Sequence, residues 1–142
     1  ADGAVYAIPS DCDALLRVHD GKVSCVGTGV VPKGKNKWQN AVLAEDGAVY
    51  ALPCDASCVL RVDTTPPRDK PVQGWDAKED NRRVTLFGEN VPDNSKNKYQ
   101  GGFLGPDGRM YGSPECADSI LIVDPHLWDG DQNLGAVSLV PY

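Results

Sequence analysis

An internal repeat constrains this chain more than any other feature. Asp2-Gly3-Ala4-Val5-Tyr6-Ala7-Ile8-Pro9 returns as Asp46-Gly47-Ala48-Val49-Tyr50-Ala51-Leu52-Pro53, then as Asp107-Gly108-Arg109-Met110-Tyr111-Gly112-Ser113-Pro114, at offsets of 44 and 61 residues. Self-similarity at such a period marks repeats that each form one supersecondary unit and bury their apolar sides against neighbours. Three further runs recur in step. Leu15-Leu16-Arg17-Val18 is matched by Val59-Leu60-Arg61-Val62 and Ile120-Leu121-Ile122-Val123. Val23-Ser24-Cys25-Val26 is matched by Val84-Thr85-Leu86-Phe87 and Val137-Ser138-Leu139-Val140, and Lys37-Trp38-Gln39-Asn40 by Lys98-Tyr99-Gln100-Gly101.

Each run is four to six residues long and rich in β-branched and aromatic side chains, as strands are. With A for the runs opening at Trp38 and Tyr99, B for the Asp-Gly runs, and C and D for the two that follow, the chain reads B-C-D, A-B-C-D, A-B-C-D. That predicts eleven strands in three antiparallel units, over approximately residues 1–36, 37–97 and 98–142. The first unit lacks strand A. The longer second offset is an insertion of 17 residues between C and D of the second unit, within residues 64–82, where paired prolines and charges predict a surface loop. Fifteen Gly and eleven Pro, spread along 142 residues, favour many short strands joined by tight turns, so the fold class is all-β.

Four-stranded antiparallel units of this period, with Asp-Gly in the first hairpin, resemble β-propeller blades of the YVTN, NHL and WD40 kind. The wording is most similar to YVTN-type repeats, as in Gly105-Pro106-Asp107-Gly108-Arg109-Met110-Tyr111. The resemblance implies tandem blades and assigns no activity. Propellers close with about four to eight blades. Three blades, one of them a strand short, therefore imply part of a larger or oligomeric propeller, completed by a protein partner or by further copies or blades.

Propeller topology sorts the loops. The D–A and B–C connections lie on one face, and there Asp11, Lys35, Lys37 and Trp38 are repeated as Asp55, Lys96, Lys98 and Tyr99. These eight residues are the candidate ligand-binding set, fit for an anion or a glycan; the competing expectation makes Trp38 and Tyr99 packing anchors beside solvated lysines. On the opposite face Trp75-Asp76 and Trp128-Asp129 mark two long C–D loops as candidate partner-binding segments. Asp129-Gly130-Asp131-Gln132-Asn133 has alternating oxygen donors but no closing Glu, so no calcium site is expected. Five cysteines leave at least one thiol unpaired; Cys54 and Cys58 bracket one turn and are the candidate disulfide, while their spacing lacks the second ligand pair of a structural zinc site.

A net charge of −6 with pI ≈ 4.7 speaks against nucleic acid as a partner, because backbone binding needs clustered Lys and Arg. No run approaches the roughly 20 apolar residues of a membrane span. None of G-x-S-x-G, H-E-x-x-H or G-x-x-x-x-G-K-[ST] occurs, and the two histidines fall in loops, so neither catalysis, a cofactor nor a metal is expected. The expected role is a non-catalytic interaction module in a larger assembly. A carbohydrate-binding propeller and a fragment of a propeller hydrolase are the alternatives. An acidic, soluble chain opening Ala1-Asp2-Gly3 leans toward a secreted or organelle-lumen location.

Overall fold

The computed structural model describes residues 2–65, 81, 83–88, 91, 95–128 and 136–142. Among the described residues eleven strands run in the order read from the repeat: β1 (Val5–Ala7), β2 (Leu15–His19), β3 (Lys22–Val26), β4 (Trp38–Leu43), β5 (Ala48–Pro53), β6 (Val59–Asp63), β7 (Val84–Phe87), β8 (Tyr99–Leu104), β9 (Met110–Pro114), β10 (Ser119–Val123) and β11 (Val137–Pro141). They form three separate antiparallel sheets, β1-β2-β3, β4-β5-β6-β7 and β8-β9-β10-β11. Each sheet is a meander in chain order, which is the build of a propeller blade. A short 3-10 turn, Pro125–Leu127, follows β10, started by Asp124, whose carboxylate accepts the His126 amide at 3.0 Å.

Local chemistry fixes the turns. β2 and β3 meet in a two-residue hairpin at Asp20-Gly21, both at positive φ, as a primed turn requires. β4 and β8 carry the same irregularity: Trp38 pairs with Pro53 and Tyr99 with Pro114, and one residue later the register shifts. Equal sequence positions thus give equal backbone.

The core lies between blades. Leu15, Val26 and Val31 of the first blade and its exit meet Trp38, Ala51, Leu60, Val62 and Val84 of the second. Tyr50, Leu52, Val59 and Phe87 of the second meet Tyr99, Met110, Leu121, Val123 and Val137 of the third. Each blade therefore has a leading face and a trailing face, and the second blade is covered on both, by the first blade on its leading face and by the third on its trailing face. Gly27 (φ +79°) and Gly88 (φ +86°), where β3 and β7 end, make these contacts close. A Cβ on them would lie 3.1 Å from Val84 and 2.9 Å from Val137 respectively.

Burial follows the same logic. The middle strand β6 is buried at Val59, Leu60, Arg61 and Val62 alike. In β2 only Leu15 and Arg17 are buried, whereas in β10 it is Ser119, Leu121 and Val123. The first blade is open on its leading face and the third on its trailing face. Val5, Leu16, Val18 and Val23 are 67%, 44%, 38% and 64% exposed, while the equivalent Met110, Leu121, Val123 and Val137 of the third blade are at most 5% exposed.

Candidate functional site

The repeated loop face builds one arrangement twice, at the junction of each blade with the next. At the first junction the Lys37 amide donates to the Ser10 carbonyl at 3.0 Å, and the Asn36 amide donates to Asp11 Oδ1 at 2.9 Å. Lys37 Nζ donates to the carbonyls of Ser10, Cys12 and Gly34 at 3.0, 2.9 and 3.0 Å. An ammonium has three donors, and here all three are used. At the second junction the Lys98 amide donates to the Cys54 carbonyl at 3.0 Å, the Asn97 amide to Asp55 Oδ1 at 2.7 Å, and Lys98 Nζ to the Ser95 carbonyl at 2.9 Å. Asn36 and Asn97 both take φ of 51°, a left-handed conformation that Asn tolerates better than most residues.

The structure thus brings Asp11, Lys37 and Trp38 together, and Asp55, Lys98 and Tyr99 together. Lys37 and Lys98 are buried, which corrects the expectation of solvated cations: the Lys37 ammonium turns inward to the Ser10 and Cys12 carbonyls of the blade corner, and the Lys98 ammonium turns to the Ser95 carbonyl of its own loop. Lys35 and Lys96 are exposed. Trp38 and Tyr99 are buried anchors, the indole Nε1 donating to the Cys58 carbonyl at 2.8 Å and the phenol lying 3.5 Å from Ser119 Oγ. Neither ring offers a free face on which a sugar could stack. Asp11 is exposed, and the Asn36 amide above all, with the Ser10 hydroxyl and the nearby Lys35 and Lys37, holds its carboxyl below the ordinary carboxylate value.

Trp128 reaches from the third blade onto the second. Its ring lies 5.1 Å from Phe87 and 4.8 Å from the Arg61 guanidinium carbon, so it stitches neighbouring blades. Trp75, Asp76 and Asp129 lie outside the described residues. No disulfide joins Cys54 to Cys58: the Cys54 thiol points across the second junction, 3.9 Å from Asp55 Oδ1 and 3.8 Å from Asn97 Oδ1. Burial first, then the Asp55 and Glu115 charges, push that thiol up.

A second repeated network escaped the sequence reading. In the first blade Asp2 Oδ2 accepts from the Tyr6 hydroxyl at 2.8 Å and from Arg17 Nη2 at 3.0 Å. In the second, Asp46 Oδ2 accepts from Tyr50 at 2.8 Å and from Arg61 at 3.3 Å. The third keeps Asp107 with Tyr111 at 2.6 Å, but Ile122 occupies the arginine position, and Arg109 instead bonds Asp124 at 3.1 Å. Burial alone would raise the Asp2 carboxyl; hydrogen bonds from Tyr6, the Ala4 amide and Arg17 outweigh it and hold the group below its usual value. Burial and the bond to Asp2 push Tyr6 up to about 12. The signal was present in the sequence: Asp, Tyr and Arg recur together at the 44-residue offset.

Among the described residues no helix is long and apolar enough to cross a membrane, and no group of three His, Cys, Asp or Glu could hold a metal ion. No protein-family model and no curated protein matches the chain. Among solved structures it is similar to virginiamycin B lyase from Staphylococcus aureus, with a TM-score of 0.42 and 14% identity over 99% of this chain and 53% of that one. The chain spans about half the length of that protein. One expectation is corrected by this finding. The chain was expected to be non-catalytic, yet a solved structure that it resembles is an enzyme, so the classification as a non-enzyme is withdrawn. The likeness assigns no reaction to this chain.

Proposed function

We propose that this chain is a propeller segment that works as a protein-interaction part of a larger ring, its two open blade faces docking onto further blades of the same repeat type. The observation that carries this reading is the burial of equivalent positions. Leu60 and Val62 are fully buried because the first blade covers them; Leu16 and Val18, their counterparts, stand exposed on the leading face beside Val5 and Val23. At the other end Val140 is 45% exposed where its counterparts Val26 and Phe87 are at most 5% exposed. A leading face and a trailing face are complementary by construction, since the chain joins such a pair twice within itself. Closing one more junction would bury several aliphatic side chains, each contributing about 1.5–3 kcal/mol when fully covered.

Native mass spectrometry, with the denatured mass of the same sample, tests the reading. The expected result is a native species above the 15.2 kDa of this chain. A lone 15.2 kDa monomer at every concentration and in the presence of its cellular partners contradicts it.

A further inference from the structure

The B–C corners of the loop face carry a relay of hydrogen bonds that crosses all three blades. In its first row the Lys37 amide donates to the Ser10 carbonyl at 3.0 Å, the Cys54 amide to that of Lys37 at 2.8 Å, the Lys98 amide to that of Cys54 at 3.0 Å, and the Glu115 amide to that of Lys98 at 2.8 Å. In its second row the Asn36 amide donates to Asp11 Oδ1 at 2.9 Å, the Asp55 amide to the Asn36 carbonyl at 2.8 Å, the Asn97 amide to Asp55 Oδ1 at 2.7 Å, and the Cys116 amide to the Asn97 carbonyl at 3.0 Å. In both rows every bond points back toward the preceding segment, and bonds between blades alternate with bonds inside a blade. Groups bonded head to tail polarise one another, so each bond in such a chain strengthens its neighbours.

We infer that this relay is a conformational coupling device: the junction of blades one and two and the junction of blades two and three open and close together, and Asp55 links them. The coupling goes beyond the docking reading and does not depend on it. Asp55 works on both sides. Its amide holds the Asn36 carbonyl beside the first junction, and its carboxylate holds the Asn97 amide across the second. Asp11 starts the row. Its carboxylate fixes Asn36, whose φ of 51° lies in the left-handed region, a conformation that costs free energy in residues other than glycine and persists where the surroundings hold it. Without the Asp11 oxygen Asn36 leaves that conformation, its carbonyl swings away from the Asp55 amide, and the Asp55 carboxylate loses its aim at Asn97. Asn97, held at the same φ of 51°, then loses its own support.

The first row stiffens this coupling. Lys37 is tied to blade one through its amide and, by Nζ, through the Ser10 and Cys12 carbonyls. Cys54 stands between the junctions: its amide donates to Lys37, its carbonyl accepts Lys98, and its buried thiol lies 3.8 Å from Asn97 Oδ1. The apolar core offers no equivalent link. Leu15, Val26 and Val31 pack against Trp38, Leu60 and Val84 at the first junction, and Tyr50, Leu52 and Phe87 against Tyr99, Leu121 and Val137 at the second, in two clusters that share no residue.

Asp11→Ala tests the coupling, because Asp11 is exposed and bonds at the first junction. Amide hydrogen exchange is followed residue by residue by NMR, with the slowest amides of β10 as the reference for global opening. The expected result is that the Asn97 and Cys116 amides exchange at least about fivefold faster while the β10 amides are unchanged, fivefold being the low end of coupling between distinct sites. Asp11→Asn keeps an acceptor oxygen without the charge and gives a smaller acceleration at the same amides. Iodoacetamide labelling of the Cys54 thiol, mapped by peptide mass, rises in step. Acceleration confined to the Asn36 and Lys37 amides overturns the inference, since the junctions then open independently. Equal acceleration at Asn97, Cys116 and β10 overturns it as well, because the chain then opens as a whole and the relay transmits nothing.

Discussion

The first and second blades carry nearly the same words and live in different surroundings. Leu15-Leu16-Arg17-Val18 and Val59-Leu60-Arg61-Val62 occupy the same positions on the same strand, yet the first alternates between buried and exposed and the second is buried throughout. Alternation of burial is the usual property of a strand with one wet side. Here it belongs to position in the stack, not to the sequence of the strand. The buried-both-sides pattern of β6 exists because blades stand before and behind it, and the sequence of β2 is ready for the same enclosure.

The largest expected contrast comes from truncating one leucine in each blade. Leu60→Ala should cost about 2–5 kcal/mol, the range for a fully buried leucine, whereas Leu16→Ala in the isolated chain should cost under about 1 kcal/mol. Urea unfolding monitored by tryptophan fluorescence measures both. Equal losses would erase the distinction between the two blades; a rise in the Leu16→Ala cost on assembly would sharpen it.

Next in size is the junction lysine. Lys37→Met removes an inward ammonium and its bonds to the Ser10, Cys12 and Gly34 carbonyls, of which Ser10 keeps the Lys37 backbone amide, at an expected cost of about 1.5–3 kcal/mol. Lys35→Met, two residues earlier and exposed, should stay within about 0.5 kcal/mol. Thermal unfolding of the pair separates a junction clasp from a merely solvated loop.

A smaller effect is expected in the Asp–Tyr–Arg network. Tyr50→Phe strips a buried hydroxyl from Asp46 and Arg61 and should cost about 1–2 kcal/mol. Tyr111→Phe, in the blade whose arginine has moved to position 109, should cost less because its partner Asp107 is exposed.

The gentlest probe is pH. Asp2, Asp11 and Asp107 all sit below their unfolded value of 3.8, so folding binds fewer protons than unfolding and their contribution is complete above that value. It is lost as pH falls through the folded values, and a urea midpoint followed downward from pH 5 should drop. At the alkaline end the sign reverses for Tyr6, raised from 10.0 to about 12: its contribution is complete below pH 10 and disappears as pH climbs through 12.

Much of this architecture was legible in the residues. Strand order, the missing first strand and the Asp-Gly turns followed from repeated wording, because strand formation and turn chemistry are local. What Lys37 and Lys98 do was not legible. A lysine between an asparagine and an aromatic reads as a surface charge; at Lys37 the Ser10 and Cys12 carbonyls of the preceding blade, brought close by stacking, join Gly34 in turning it inward, and at Lys98 the Ser95 carbonyl of its own loop accepts the ammonium. Trp128 stands out in the sequence as the mark of a candidate partner-binding loop, but its contact with Phe87 and Arg61 depends on a blade more than 40 residues away in sequence. The Asp2–Tyr6–Arg17 network could have been found, since the three residues repeat together; the Ile122 substitution in the third copy hid the pattern.

Hydrogen exchange read peptide by peptide on a 15.2 kDa monomeric sample tests the central claim, that the first blade is an enclosed blade left open. The account predicts that amides of β1 exchange at least about a hundredfold faster than those of the equivalent β5, through local opening that a covered strand does not permit. Exchange at β1 as slow as at β5 in that monomer would contradict it, because the leading face would then be closed without any further blade.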